Sequence, residues 1–240
     1  MEIPELSLKG RRILVTGSST GIGQAVCRQA IAAGARVAGL ARSVKDGESD
    51  GVVSFRCDVR KEGDVRDAVD GAAKALGGLD AIVANAGYGL YGFITKGNPA
   101  DWRDVIETNV LGVLYTIFYG YKKFPESGPR DIVTMSSISG RFARLGAGVY
   151  AATKFAVNAM TESLRLELAE AHVRVTVIEP ATVDTPFYDR SVRHEGAGII
   201  PRKFDPLTAE DVARAVIFAM GQPENVAVNE LLVRPNGQSV

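Results

Sequence analysis

The segment Ile13-Leu14-Val15-Thr16-Gly17-Ser18-Ser19-Thr20-Gly21-Ile22-Gly23 constrains the fold more than any other stretch of the chain. It is followed by Gln24-Ala25-Val26-Cys27-Arg28-Gln29-Ala30-Ile31-Ala32-Ala33 and then Gly34. The order reads as strand, tight glycine turn, helix and glycine C-cap. Glycines let the backbone turn sharply and approach a ligand closely, and the first amides of the helix have no intrahelical partner. With the positive end of the helix dipole they form a cradle for an anion, a pyrophosphate above all. Alone, such a glycine pattern is a loop about as often; the strand before it and the helix after it supply the context that a dinucleotide site requires.

Short apolar runs at residues 13–15, 36–40, 52–55, 81–84, 131–135, 173–178 and 230–233 alternate with helical patterns. That alternation predicts an α/β chain of doubly wound Rossmann type, with a seven-stranded parallel sheet and helices on both faces. Right-handed crossovers give the strand order 3-2-1-4-5-6-7 and put the ligand crevice at the carboxyl ends. Only residues 43–51 separate the second and third runs, fewer than the dozen or so of an ordinary parallel crossover. The helix there should shrink to a turn. A chain of 240 residues without linker, repeat or low-complexity tract is expected to form a single domain over 1–240.

A second constellation carries acid/base chemistry. In Tyr150-Ala151-Ala152-Thr153-Lys154 the phenol and the ammonium stand at i and i+4, on one helix face. A free phenol titrates at roughly 10, too high for efficient proton exchange near neutrality. A nearby ammonium favours the phenolate and pulls that value down. Ser137 precedes the pair. Asn98-Pro99 should start a long helix through Trp102, Val105, Ile106, Asn109 and Val113, leaving Asn109 mid-helix, where the simplest role is a solvent-facing one. Ala152, Phe155, Ala156, Ala159, Met160 and Leu164 form a stripe beside Tyr150 that is most simply core, although its alanines would also admit a second subunit.

The end of the second strand bears on cofactor choice. An NAD site usually has a carboxylate there for the ribose hydroxyls, whereas an arginine accommodates the extra phosphate of NADP. Ala41 occupies that position and Arg42 follows it, which favours NADP over a merely solvated arginine.

Lys+Arg and Asp+Glu number 28 each, so the formal net charge is zero and neither nucleic acid nor an anionic membrane is an expected partner. Met1-Glu2-Ile3-Pro4-Glu5 does not resemble a signal peptide, and no apolar run approaches the roughly 20 residues of a membrane span. A cytoplasmic location is expected. Cys27 and Cys57 suggest packing more than a disulfide or a metal site.

These motifs together resemble the compact, single-domain branch of the short-chain dehydrogenase/reductase family, almost end to end. The family's Thr-Gly, three residues, Gly-X-Gly falls on Thr16 to Gly23. Its Asn-Asn-Ala-Gly element matches Asn85-Ala86-Gly87, with Ala84 at the first place. Its Pro-Gly-X-Val-X-Thr element matches Pro180-Ala181-Thr182-Val183-Asp184-Thr185, with alanine for glycine. The resemblance implies a catalytic tetrad of Asn109, Ser137, Tyr150 and Lys154. Ser137 would hold the carbonyl oxygen, Tyr150 protonate it, Lys154 also bind the nicotinamide ribose, and Asn109 hold a proton-relay water.

It also implies cofactor contacts from Gly17, Ser19, Gly21, Ile22 and Gly23, from Arg42, and from Asp58 and Val59 at the adenine. Asp58 would equally cap the helix that starts near Lys61. Asn85, Ala86, Gly87, Tyr150, Lys154, Pro180, Val183 and Thr185 complete the set.

The family implies a small carbonyl or alcohol substrate and a homo-oligomer, tetramer or dimer; the stretches 135–141, 149–162 and 228–235 look most like NADP-dependent members acting on hydroxy acids, aldehydes and ketones. The substrate should be covered by residues 88–93, 141–145 and a loop at about 185–206. Phe142, Phe187 and Tyr188 suggest an apolar wall there, and Arg141, Arg144, Arg190, Arg193 and His194 are candidates to meet a carboxylate. The alternative reading is a dinucleotide-binding sensor on the same fold without turnover; a complete tetrad argues against it.

Overall fold

The computed structural model describes residues 7–198 and 204–239. In chain order the elements are β1 (Arg12–Thr16), α1 (Gly21–Ala32), β2 (Arg36–Ala41), β3 (Gly47–Ser49), β4 (Val52–Arg56), α2 (Glu62–Leu76), β5 (Ala81–Ala84), β6 (Leu90–Tyr91), α3 (Pro99–Ile106), α4 (Gly112–Tyr121), β7 (Asp131–Met135), α5 (Gly148–Glu167), β8 (Arg174–Pro180), β9 (Val183–Asp184), α6 (Phe187–Arg190), β10 (Val192–Arg193), β11 (Leu207–Thr208), α7 (Ala209–Met220) and β12 (Glu230–Val233).

The main sheet has eight strands in the order β12-β8-β7-β5-β1-β2-β4-β3. Its seven parallel strands are the seven apolar runs, in the expected order. The eighth is a difference from expectation: residues 43–51 do not collapse to a bare turn, because β3 folds back antiparallel onto β4. Asp50 and Gly51, between the paired Ser49 and Val52, have φ of 52° and 75°. Two consecutive left-handed residues make a type I′ turn, whose twist suits a two-residue hairpin.

Alternation along the strands supplies both layers. Ile13 and Val15 pack with Val26 and Ala30 of α1 and with Val212 and Val216 of α7. Leu14, between them, points the other way into the Val65, Val69 and Leu76 face of α2. Ile82 and Ile132 meet Val113 and Ile117 of α4 and Val157 of α5. Both faces of the sheet are therefore covered, as apolar parallel strands require. At the amino ends, the buried Asp131 carboxylate accepts from Arg11 at 2.6 Å and from Arg174 at 2.8 Å.

Asn98 caps α3 by accepting from the Ala100 amide at 3.0 Å, with Pro99 at the first helical position. The helix is not regular throughout: residues Glu107–Leu111 form one π turn before α4. Asn109 lies in that turn with 0% exposure, so the solvent-facing role is ruled out. The stripe on α5 is also corrected. Met160 and Leu164 pack against the core as expected, but the fully buried face is Tyr150, Ala151, Thr153, Lys154, Val157 and Thr161, whereas Ala152 and Ala159 are exposed and Phe155 is 45% exposed. Cys27 and Cys57 are free and buried. No helix among the described residues is long and apolar enough to cross a membrane.

Candidate active site

A cleft of about 1210 Å³ opens at the carboxyl ends of the parallel strands. It is lined by Gly17 after β1, Ala41 and Arg42 at β2, Asp58 after β4, Asn85 to Gly87 after β5, Ser137 after β7 and Pro180 at the end of β8.

Ser137 sits where β7 gives way to a short 3-10 turn, and its hydroxyl accepts from the Ser139 amide at 3.1 Å. The turn is clamped to α5: Ser136 Oγ donates to the Lys154 carbonyl at 3.2 Å and Asn158 Nδ2 to the Gly140 carbonyl at 3.2 Å. Ser137 Oγ itself donates to the Pro180 carbonyl at 3.4 Å, and it lies close enough to Tyr150 to draw the phenol's pKa down. The Tyr150 ring lies 5.7 Å from that of Tyr91 and 5.9 Å from that of Phe187, centroid to centroid.

Burial holds the Tyr150 hydroxyl well above the ordinary phenol range, and the neighbouring Ser137 side chain opposes that shift only in part. The expected lowering by Lys154 is absent in this structure. Lys154, 5% exposed, donates from Nζ to the Met135 carbonyl at 2.8 Å, and its own pKa is pushed down to about 8 by burial. Desolvation of a phenol in an aromatic pocket outweighs an ammonium that is itself desolvated and bonded elsewhere.

Asn109 spends its amide on the loop after β5. Its Oδ1 accepts from the Tyr88 amide at 3.1 Å, and its Nδ2 donates to the Tyr88 carbonyl at 3.0 Å and to Thr153 Oγ1 at 3.1 Å. Both Nδ2 protons are used, leaving one Oδ1 lone pair. Asn109 thus fixes the backbone beside Lys154.

At the other end of the cleft, Gly17 and Gly21 take φ of 68° and 57°. A methyl on Gly23 would run into the Gly17 carbonyl and come within 2.6 Å of Asn85 Nδ2. Asn85 ties this loop to β5: its amide donates to Thr16 Oγ1 at 3.0 Å and its Nδ2 to the Thr16 carbonyl at 2.9 Å. The Ala86 amide also reaches Thr16 Oγ1, at 3.1 Å. Helix α1 has neither a side-chain cap nor an acidic residue in its first turn. Its opening amides are left for an anion, and the cradle fits a pyrophosphate.

Arg42 is exposed on the rim and helps hold the Asp58 carboxyl low. Asp58 itself is gripped by Arg60, with Nε at 3.0 Å from Oδ1 and Nη2 at 2.7 Å from Oδ2, which keeps its carboxyl below the usual range. It does not cap α2, which starts after Lys61 with no side-chain cap bond. Ser19, Ile22, Val59, Val183 and Thr185 also line the cleft, and Thr185 faces Gly21.

Residues 185–198 and 204–206 of the predicted cover are described; residues 199–203 of it lie outside the described residues. The short strand β10 pairs with β6, and Arg190 of α6 donates to Thr20 Oγ1 at 2.9 Å, joining cover to glycine loop. Arg141 is not in the cleft: it pairs with the buried Glu179 and with Glu230. His194 is bonded to Asp101 at 2.9 Å. Arg60, Thr153 and the π turn also shape the site and belong to none of the sequence motifs. Arg60 had a signal, a guanidinium two residues from a loop carboxylate.

Comparison with known proteins follows the same outline. The family model described as short chain dehydrogenase matches residues 11–196. The chain is 33% identical to human dehydrogenase/reductase SDR family member 11, covering 96% of each chain. It is 34% identical to glycine betaine reductase ATRR of Emericella nidulans over 99% of its own length, but spans only 20% of that protein. Among solved structures, the closed form of serine dehydrogenase complexed with NADP+ superposes with a TM-score of 0.85 at 29% identity, covering 95% of this chain and 96% of that one. The 3-ketoacyl-(acyl-carrier-protein) reductase of Brucella melitensis, complexed with NADH, superposes with a TM-score of 0.85 at 27% identity, covering 98% and 100%. The chain belongs to the short-chain dehydrogenase family.

Proposed function

We propose that this chain is an NADP(H)-dependent oxidoreductase acting on a carbonyl/alcohol pair, with Tyr150 as the proton donor. The observation that carries the reading is the contact of Tyr150 with Ser137, with Lys154 one turn on, in the cleft that also holds the glycine loop. A bound nicotinamide dinucleotide would supply or accept the hydride. Gly17, Ser19, Gly21, Ile22 and Gly23 would hold its pyrophosphate, Asp58 and Val59 its adenine, and Pro180, Val183 and Thr185 its nicotinamide end. Asn85, Ala86 and Gly87 would form the wall between.

In carbonyl reduction Ser137 donates to the carbonyl oxygen and orients it. Tyr150, held protonated by burial, passes its proton to that oxygen as charge develops there. Lys154 binds the nicotinamide ribose and, when charged, stabilises the phenolate left behind. Asn109 keeps the Tyr88 backbone beside Lys154 and retains a lone pair for a relay water.

Two solved neighbours differ in cofactor, one carrying NADP+ and one NADH; Ala41 and Arg42 favour NADP here. The exposed apolar side chains Leu114, Phe118, Phe155 and Leu166 on α4 and α5 support a homo-oligomer, tested by sedimentation of wild type against Phe118→Glu/Phe155→Glu. We take the chain to work in the cytoplasm, as one domain.

The direct test is NADPH oxidation by the purified chain against aldehydes, ketones and oxo acids. Turnover that falls with Tyr150→Phe supports the assignment. NADPH binding with no turnover of any carbonyl, together with a stable protein complex, would favour a sensor instead.

A further inference from the structure

The cleft wall beyond Tyr150 carries a cation that the proton transfer does not use. Arg144 belongs to the loop between the Ser137 turn and α5, with its guanidinium 5.1 Å from the centre of the Phe142 ring. Its Nη2 is sealed from solvent and has no hydrogen-bond partner. Arg144 also lines the cleft and has no ion-pair partner among the described residues, so the part of its guanidinium that faces the cleft can meet an anion by a charge-assisted bond. The neighbouring arginines are differently placed: Arg141 is spent on Glu179 and Glu230, Arg190 reaches Thr20, and Arg193 gives one amino group to the Tyr188 carbonyl at 3.1 Å. Asp101 and Asp104, on the wall of the same cleft, are already paired with His194 and Arg60.

Arg144 and Arg193 both act electrostatically on the Tyr91 hydroxyl, which they pull down against burial. The Tyr91 ring in turn lies 5.7 Å from that of Tyr150. Two cations and a phenol thus border the space in front of the proton donor. We propose that Arg144, helped by Arg193 and Tyr91, forms a carboxylate subsite, so that the substrate is an oxo acid or the corresponding hydroxy acid and not a neutral carbonyl. This rests on the reductase reading of Tyr150. The guanidinium fork binds the carboxylate, which takes no part in the redox step; the carbonyl carbon gains hydride and its oxygen the Tyr150 proton.

The experiment compares kcat/KM for 2-oxobutyrate and 3-oxobutyrate with their methyl esters, in wild type, Arg144→Met and Arg144→Lys. Wild type should prefer one acid over its ester. In Arg144→Met that ratio should fall roughly 10- to 100-fold, chiefly through KM for the acid, and Arg144→Lys should restore part of it. Should Arg144→Met not fold, wild type alone decides: isobutyrate should compete with the acid substrate and isobutyramide should not. Esters reduced as well as both acids, equal inhibition by the two isobutyryl compounds, or an unmoved ratio in Arg144→Met overturns the subsite while leaving the Tyr150 reading intact. Failure to reduce any carbonyl overturns both.

Discussion

The ammonium of Lys154 donates to the main-chain carbonyl of Met135 at 2.8 Å, while the centre of the Tyr150 ring lies 5.8 Å from it. The two side chains share a helix face one turn apart, yet in the free protein the lysine is anchored to strand β7 and not to the phenol. Burial then acts on the two in opposite directions, pushing the phenol up and the lysine down.

That burial predicts a signature in stability. Lys154 titrates at about 8 when folded and at roughly 10.4 when unfolded. Between those values the unfolded chain binds more protons, so the lysine's share of stability rises with pH across that window. Tyr150 works in the opposite sense above roughly pH 10. Lys154→Met removes the first effect and keeps the second. Urea unfolding of both proteins at pH 7.5 and 9.5 should show wild type gaining on the variant by on the order of 2 kcal/mol. A difference independent of pH contradicts a desolvated ammonium.

Gly23→Ala tests the cradle. The added methyl meets the Gly17 carbonyl and Asn85 Nδ2, and neither yields without opening the loop tied to Thr16. Strain of this kind costs about 1 to 3 kcal/mol. Thermal unfolding should register that loss, and titration should find NADPH affinity reduced more than tenfold. Wild-type affinity in the variant would remove the glycine loop from the cofactor site.

A third expectation concerns the amino ends of the strands. Asp131→Ala leaves the guanidinium groups of Arg11 and Arg174 buried without their shared carboxylate. Breaking such a group typically costs about 3 to 5 kcal/mol. Asp67→Ala, which removes the exposed pair with Arg66, should change stability by no more than about 0.5 kcal/mol. Denaturant titration of the two variants separates buried from surface charge; equal effects would contradict the placement of Asp131.

The parallel sheet and its order were legible because each strand is a short apolar run and right-handed crossovers leave few topologies. The β3 hairpin was legible only in the dipeptide Asp50-Gly51, a type I′ signal masked by the expectation of a crossover helix. The stripe on α5 misled because periodicity marks an apolar face without saying what covers it. Asn109 was located but its partners were not, because its bonds to Tyr88 and Thr153 join distant segments, to which spacing along the chain is blind; the Arg60 fork on Asp58 is local, two residues apart, and was open to a reading of charge spacing. Arg141 looked like a pocket cation until Glu179, from a strand distant in sequence, proved to be its partner.

Cofactor preference should follow Ala41 and Arg42. Arg42→Ala should weaken NADPH binding roughly 10- to 100-fold and leave NADH nearly unchanged, since a charge-assisted hydrogen bond contributes about 1.5 to 3 kcal/mol. Ala41→Asp should shift the preference towards NADH by placing a carboxylate against the 2′-phosphate and beside the ribose hydroxyls. Fluorescence titration of both cofactors decides it. Equal wild-type affinity for NADH and NADPH would overturn the preference.

The proton donor is the centre of the account, and Tyr150→Phe tests it most directly when turnover and NADPH affinity are measured on the same protein. General acid catalysis typically contributes a factor of roughly 10² to 10⁴. The ring and its contacts with Tyr91 and Phe187 survive the substitution, so affinity should stay within a few-fold of wild type while kcat for carbonyl reduction falls by a factor in that range. Near-wild-type turnover in the variant, with chemistry still rate-limiting, would contradict the assignment.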